Sequence, residues 1–238
     1  MVDYSTIETS LCKILDLSRR PVAVTFRDKP PVGVPKFSGK EPSSCSFWQL
    51  AAGGMTFYTV PADHHNCAMG CYTHNFPAPR KHAEELERAF SQLTSSGYIK
   101  MEDISSIPRL KKAPNSIVYS PLGNTPIDPD LVIFVTRPLQ AMVLQEAAMR
   151  LGIGLHHSSL GKPTCMSIPS ALNREVVTGA GCFANRIYTG LADDELYVLV
   201  PGIMLQKIAD SVQGITESNL KIAEYHRARR ESLKFDIE

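Results

Sequence analysis

The sequence predicts an α/β protein that forms a single domain over residues 1–238. Short apolar runs typical of buried strands alternate with helical segments bounded by capping residues, glycines and prolines. A chain of 238 residues with 43% hydrophobic residues can build a sizeable core without disulfides. A faint internal repeat also predicts two similar halves, about residues 20–100 and 115–214, around a shared central cleft.

The first half begins with a predicted helix opened by Ser5 and Glu8, which form an S-x-x-E capping box. The run PVAVTF then predicts a buried strand, CSFWQLAA predicts a short helix that ends at a double glycine, and MTFYTV predicts a second strand. Residues 80–96 predict a helix that is stopped by Gly97.

The second half contains further strands and helices. Residues 116–119 and 131–135 predict strands, and Pro138 suits the first turn of a helix that runs to about residue 150. GIGLHHSSLGKP predicts a loop, CMSIPSAL a short helix, and EVVTGA a strand that is followed by another at 195–200. Pro201 predicts the start of a helix that ends at Gly214, and a separate amphipathic helix is expected from about residue 217.

Cysteines mark the internal repeat. Cys45 precedes a short helix, and a strand, Cys67 and the dipeptide Tyr-Thr follow in that order. Cys165 likewise precedes a short helix, and a strand, Cys182 and Tyr-Thr follow. A true repeat would make related cysteines face one cleft, each near a helix start, where unpaired N–H groups favour the thiolate form. The alternative is a chance alignment of six cysteines on similar α/β segments.

The stretch HHNCAMGCYTH carries candidate ligands for a metal ion or a cluster. If it is helical, Cys67, Cys71 and His74 lie at i, i+4 and i+7 and share one face. Thiolate with imidazole suits zinc, and thiolates suit an iron–sulfur cluster. The predicted ligand set is Cys45, Cys67, Cys71, His74 and Cys182. The alternatives are a reactive thiol without metal and the packing of cysteine as a small apolar residue, since Gly70 weakens the helix.

Four other residues are candidates for binding a small molecule or cofactor. Trp48 lies on the same helical face as Cys45, and Trp48 and Tyr72 are expected to form apolar walls. Asn185 and Arg186 follow the helix start at Cys182 and are candidate polar anchors for an anion. The alternatives are core packing for Trp48 and a surface contact for Arg186.

Charge and motif content argue against several classes of protein. The 25 Lys and Arg residues balance 24 Asp and Glu residues, so nothing predicts the concentrated basic surface that nucleic acid requires. The N-terminus lacks a secretory signal and no apolar run reaches the length of a membrane span, so we expect a cytoplasmic protein. The motifs of serine hydrolases, P-loop proteins and zinc proteases do not occur.

Several separated blocks resemble one known family. They include CSFWQLAAGGMTFYTVPADHHNC, PDLVIFVTRPLQAM and GCFANRIYTGLADDELYVLVPG. With these blocks the chain resembles, from about residue 13 to 225, the family called domain of unknown function 169, or archaeal conserved region-like. The resemblance implies a single-domain prokaryotic protein, often from archaea and anaerobes. It implies no reaction, cofactor or catalytic residue.

The function expected from the residues is that of a cysteine-dependent redox protein that acts on a small molecule. Its cofactor would be an iron–sulfur cluster or zinc, and His65 or His74 would ligate it or transfer protons. The alternative is a non-catalytic protein that binds a small molecule or anion. The residues leave the substrate, the reaction and the oligomeric state open.

Overall fold

A computed structural model describes residues 2–77, 79–158, 163–173 and 175–234. These residues contain seven strands, which form one continuous mixed sheet. The strands are β1 (Val22–Arg27), β2 (Phe57–Thr59), β3 (Ser116–Pro121), β4 (Leu131–Thr136), β5 (Leu155–Ser158), β6 (Val176–Gly179) and β7 (Leu196–Pro201). Their order across the sheet is β2-β3-β1-β4-β7-β6-β5, and only the β5–β6 pair is parallel.

The described residues also form nine α-helices, which cover both faces of the sheet. The helices are α1 (Tyr4–Leu15), α2 (Ser46–Ala52), α3 (Ala68–Thr73), α4 (Arg80–Ser95), α5 (Met101–Ile104), α6 (Pro138–Arg150), α7 (Ser167–Ala171), α8 (Phe183–Thr189) and α9 (Leu205–Lys234). Helices α1, α6 and α9 bury apolar side chains on one face. Helices α2, α3 and α7 do so on the other, which we call the cysteine face because Cys45 and Cys71 lie in its core.

Alternation along the strands divides the apolar residues between the two faces. Leu131 and Ile133 of β4 pack into the core of the cysteine face, whereas Val132 and Phe134 pack against α1, α6 and α9. Successive side chains of a strand point to opposite faces, and here both faces are covered. This is why the central strands read in sequence as unbroken apolar runs.

The sheet is arranged symmetrically about the β1–β4 pair. Strand β1 pairs antiparallel with β3 from Val22 opposite Pro121, and β4 pairs antiparallel with β7 from Leu131 opposite Pro201. Strands β2 and β6 then add to β3 and β7 in the same register. Each side of the centre is therefore a three-stranded antiparallel unit with equivalent pairing.

The centre of this arrangement lies at Ala23 and Val132, which face each other in the antiparallel β1–β4 pair. Strand β3 belongs with β1 and β2, so the structural division falls after residue 121, whereas the sequence placed the second half from about residue 115. Two features break the symmetry: β5 extends the sheet beside β6, and α4 and α5 are inserted between α3 and β3.

Helix α1 begins one residue before the predicted capping box, and the box is not formed. The carboxylate of Asp3 accepts hydrogen bonds from the backbone N–H groups of Ser5 and Thr6, each at 3.1 Å. Glu8 instead forms an ion pair with Arg20 at 2.7 Å and accepts from the N–H of Gly123. Glu8, the acidic residue of the S-x-x-E pattern, therefore links α1 to the segments that contain Arg20 and Gly123.

Two other sequence predictions differ from the structure. Helix α9 passes through Gly214 without interruption, because Val212 and Ile215 on either side of it are buried against the core. Burial of that face outweighs the cost of about 1 kcal/mol that glycine imposes inside a helix. The predicted loop GIGLHHSSLGKP contributes β5, which pairs with β6, while its residues 159–162 lie outside the described residues.

No helix in the described part of the chain combines the length and the apolar character that crossing a membrane requires.

Candidate functional site

Four of the six cysteines line one cavity of about 450 Å³ on the cysteine face. They are Cys45, Cys67, Cys165 and Cys182, and we call them the cavity cysteines. Cys45 and Cys165 are buried at the floor, with 5% and 3% of their surface exposed, whereas the other two are half-buried. The cavity therefore collects thiols from both symmetric sides of the sheet.

The cavity cysteines occupy matching positions in the two sides. Cys45 directly precedes α2, and Cys165 lies in the 3-10 turn Thr164–Met166 that leads into α7. Cys67 and Cys182 are the N-caps of α3 and α8. Because α2 packs against α8, and α3 against the turn of Cys165, the two sides interlock around the thiols.

The two half-buried cysteines accept hydrogen bonds from the helices that they cap. The sulfur of Cys67 accepts from the N–H of Gly70 at 3.2 Å, and that of Cys182 accepts from the N–H of Asn185 at 3.5 Å. Both cysteines line the cavity at the start of a helix, where their sulfurs can serve as ligands or nucleophiles.

The two cysteines at the floor interact electrostatically with the other two. Burial raises the pKa of Cys45 well above its ordinary value, and the thiols of Cys165, Cys67 and Cys182 add to the rise, which a hydrogen bond from Asn185 opposes. Burial likewise raises the pKa of Cys165, with added contributions from Cys67 and Cys182 and an opposing hydrogen bond from Thr73. Burial therefore holds both floor cysteines as neutral thiols.

Backbone contacts fix the helix start at Cys182. The hydroxyl of Thr164 accepts a hydrogen bond from the N–H of Cys182 at 2.6 Å. The next N–H, that of Phe183, donates to the hydroxyl of Tyr98 at 3.2 Å. Since Thr164 directly precedes Cys165, these bonds tie the two cysteines of the second side to each other and to the segment after α4.

A close approach of α3 to the loop before α2 fixes the other side. A Cβ on Gly70 would lie 2.1 Å from the Oγ atom of Ser44 and 3.0 Å from the sulfur of Cys67. Ser44 is fully buried, and its hydroxyl is hydrogen-bonded to Nδ1 of His64 at 2.9 Å. Only glycine at position 70 allows α3 to lie this close to Ser44, the residue before Cys45.

Asn185 is one of the four residues predicted to bind a small molecule, and it lines the cavity. It is 99% buried, since only 1% of its surface is exposed, and its Nδ2 donates to the hydroxyl of Tyr197 at 3.2 Å. Its Oδ1 is buried and has no hydrogen-bond partner among the described residues.

Cys71 and His74 do not reach this cavity, although the sequence grouped them with Cys67. Cys67 is a cap with extended backbone, at φ −121° and ψ 95°, so the helical i, i+4 spacing does not apply to it. Cys71 is buried, its sulfur donates to the carbonyl of His64 at 3.2 Å, and burial raises its pKa to about 12. Cys71 lines a separate cavity of about 140 Å³ together with His65 and other residues.

His74 lies with His64 in a buried group that we call the histidine cluster, which also contains Ser44 and Thr59. The two nitrogens of His64 are hydrogen-bonded to the hydroxyls of Ser44 and Thr59, at 2.9 and 2.8 Å. Nδ1 of His74 is hydrogen-bonded to the carbonyl of Gly70 at 2.8 Å. Burial lowers the pKa of His64 well below its ordinary value and that of His74 to about 4, so both rings are neutral.

The other three predicted ligand-binding residues lie outside the lining of the cavity. Trp48 is buried and packs edge-on against Tyr197. The ring of Tyr72 lies under the guanidinium of Arg109, 4.4 Å away, and its hydroxyl donates to the carbonyl of Ile104. The guanidinium of Arg186 donates to the carbonyls of Ala180, Ala192 and Glu195. These bonds use three of the five N–H donors of Arg186, and anion binding by this residue stays a prediction.

Among the described residues, no group of three or more His, Cys, Asp or Glu side chains is arranged to hold a single metal ion.

Cys165 lines the cavity, although the ligand set predicted from the sequence did not include it. The spacing from Cys45 to Phe57 equals that from Cys165 to Val177, and Phe57 and Val177 hold equivalent places in the sheet. This repeat spacing contained the signal. The prediction instead relied on a helical spacing of Cys67 and Cys71, and so it included Cys71 and not Cys165.

The fold and site together define a mixed α/β protein with a cysteine-lined cavity. The chain belongs to the family domain of unknown function 169, described as "Uncharacterised ArCR", whose model matches residues 10–211. An uncharacterised protein of Methanocaldococcus jannaschii is 25% identical over 114 residues. That match spans 46% of this chain and 49% of the relative, so it covers about half of each. No solved structure matches the chain.

Proposed function

We propose that this protein is a cytoplasmic redox protein that holds an iron–sulfur cluster on the cavity cysteines. The supporting observation is the convergence of four thiols, from four separate elements, on one cavity. Iron–sulfur clusters are commonly held by four cysteine thiolates. A reducing cytoplasm would keep these thiols free of disulfides and available as ligands.

The donor set suits a cluster. The lining of the cavity offers four thiols and, among the described residues, no imidazole or carboxylate. Four thiols are the usual ligand set of an iron–sulfur cluster. Burial and mutual repulsion raise the pKa of Cys45 and Cys165, and positively charged iron would offset both effects.

Residues around the thiols would tune such a cofactor. When bound, the cluster would supply one-electron transfer. The N–H groups of Gly70 and Asn185 donate to the sulfurs of Cys67 and Cys182. Hydrogen bonds to ligand sulfurs and limited exposure to solvent set the reduction potential of a cluster. The two helix starts would therefore act on the potential as well as on ligand position.

The test uses serine variants of all six cysteines, prepared without oxygen and supplied with iron and sulfide. We expect the wild type to develop broad visible absorption, and we expect replacement of Cys45, Cys67, Cys165 or Cys182 to remove most of it. The matched controls are Cys12→Ser, in α1 on the opposite face, and Cys71→Ser, in α3 outside the cavity. Both controls should keep the full spectrum.

The opposite pattern would contradict the proposal. A wild-type protein without visible absorption, or a Cys165→Ser variant with an unchanged spectrum, would rule out a cluster on these four residues. Loss of the spectrum in Cys71→Ser, with retention in Cys165→Ser, would favour the ligand set expected from helical spacing.

A second candidate function is non-catalytic binding of a small molecule in the same cavity. The observation that favours it is size: about 450 Å³ falls within the usual range for ligand pockets, and much of the lining is apolar. Metal-free protein that binds a ligand with unchanged affinity in all four serine variants would support this function over the first.

A further inference from the structure

We propose that the cavity binds an uncharged, largely apolar small molecule beside the cavity cysteines. This inference rests on the proposed function, because the molecule would lie next to the proposed cluster. The first observation is the charge of the lining: none of the described residues around the cavity is Asp, Glu, Lys, Arg or His. A charged ligand would lose its hydration there without gaining an ion pair, which is costly.

The second observation is the wall that faces away from the buried floor. Ala89, Leu93 and Ile99 line this wall and are half-buried, and Phe183 on the rim has 68% of its surface exposed. An apolar molecule in the cavity would remove this surface from water, which is the main source of affinity in pockets of this kind.

The third observation concerns symmetry. The cavity cysteines come from equivalent places on the two sides of the sheet, but the wall comes from α4 and the segment after it, which are inserted only in the first side. The hydroxyl of Tyr98 in this segment accepts a hydrogen bond from the N–H of Phe183 in α8. The cofactor is thus assigned to the symmetric part of the site, and the small molecule to the asymmetric part.

These three observations define the ligand class as a neutral, mainly apolar compound.

Two fluorescent probes that share one ring system test this inference. N-phenyl-1-naphthylamine is neutral and carries one N–H donor, and 8-anilino-1-naphthalenesulfonate adds a sulfonate to the same rings. We expect the neutral probe to bind one site per chain and at least about tenfold more tightly than the sulfonate, a difference of about 1.4 kcal/mol. Equal or tighter binding of the sulfonate would overturn the inference.

Variants locate the binding site. Leu93→Asp puts a charge into the half-buried wall, and Ala89→Trp fills the space, so each should weaken the neutral probe at least about tenfold. The control is Leu139→Asp in α6, where the side chain is 68% exposed and lies outside the cavity lining; it should leave affinity unchanged. Unchanged affinity in both Leu93→Asp and Ala89→Trp would overturn the inference.

Iron content separates the two proposals. Probe affinity is measured on protein before and after iron and sulfide are supplied. A protein that binds the neutral probe in the cavity but takes up no iron would support the ligand site and contradict the cluster. A protein that takes up iron but does not bind the neutral probe in either state would keep the cluster and overturn the ligand class.

Discussion

The cavity cysteines and His64 of the histidine cluster come from neighbouring parts of the chain, but they differ in whether their polar atoms have partners inside the protein. Both nitrogens of His64 have hydroxyl partners, and the ring packs against Phe47 and Phe76, so this imidazole is fully used inside the protein. The sulfurs of Cys67 and Cys182 instead meet open space on one side. Polar groups with internal partners stabilise the fold, whereas groups that converge on a cavity can bind a ligand there.

Ser44 and Gly70 join the two regions. Ser44 is hydrogen-bonded to His64 of the histidine cluster and directly precedes Cys45 of the cavity. Gly70 contacts Ser44 and donates its N–H to the sulfur of Cys67. The histidine cluster therefore helps to hold Cys45 and Cys67 in position. A substitution in the cluster should shift these two thiols.

The largest effect on stability is expected for Gly70→Ala, which acts on both regions. The added Cβ would lie 2.1 Å from Oγ of Ser44, and Ser44 cannot move without losing its bond to His64. Overpacking of this kind should lower the free energy of unfolding by about 3 kcal/mol, as measured by urea denaturation. It should also reduce iron uptake, because Cys67 would be displaced from Cys45.

The matched control is Gly214→Ala in α9, where no heavy atom lies within 4 Å of the added Cβ. Alanine is the better helix former there, so this variant should gain about 0.5–1 kcal/mol. If Gly70→Ala changes the free energy of unfolding by no more than Gly214→Ala does, the approach of α3 to Ser44 is not tight.

A smaller effect is expected from pH, and the histidine cluster should contribute to it. Burial also lowers the pKa of His65, which acts in the same direction. The pKa of His74 is about 4 in the folded protein, against an ordinary value of 6.5, because burial disfavours the charged ring. Between these values the unfolded chain binds the proton and the folded protein does not, so stability falls as pH falls below 6.5. From pH 7 to pH 5 the loss through His74 is about 2 kcal/mol, and His64 adds a loss in the same direction.

Urea denaturation at both pH values measures this loss in the wild type and in His74→Phe, which keeps an aromatic ring beside Phe76. The variant should lose about 2 kcal/mol less than the wild type on acidification. Replacement of the exposed His226 by Gln should leave the loss unchanged. The same pH dependence in His74→Phe and the wild type would mean that His74 is not held neutral by burial.

The smallest effect is expected for Cys71→Ser, because Cys71 lies outside the cavity of the four cavity cysteines. Its buried sulfur donates to the carbonyl of His64, and a serine hydroxyl can keep a bond there while burying a more polar group. The free energy of unfolding should fall by about 1 kcal/mol. The affinity for the neutral probe should not change, and a tenfold loss of that affinity would place Cys71 in the binding site.

Most strands could be predicted from the sequence because apolar runs such as PVAVTF are buried on both faces of the sheet. Strand β5 was missed because its pairing with β6, and not its own glycine-flanked sequence, determines its conformation. The predicted end of a helix at Gly214 failed for a related reason, since packing of Val212 and Ile215 decides the outcome. Long-range contacts that the local sequence does not display explain both errors.

The candidate site was predictable where it depended on the repeat and unpredictable where it depended on backbone conformation. The order of cysteines, helices and strands led to Cys45, Cys67 and Cys182, which the structure brings to one cavity. Because the backbone of Cys67 is extended and not helical, Cys67 and Cys71 line different cavities. Residue spacing alone does not reveal this difference. The wall from α4 has no counterpart in the second side, so the repeat gave no signal for it.

The central claim is tested most directly by iron and acid-labile sulfide per chain, measured after anaerobic reconstitution of the wild type, Cys165→Ser and Cys71→Ser. The account predicts about four of each in the wild type and in Cys71→Ser, and little of either in Cys165→Ser. Wild-type protein without stoichiometric iron and sulfide, or equal content in all three proteins, would contradict a cluster on the cavity cysteines.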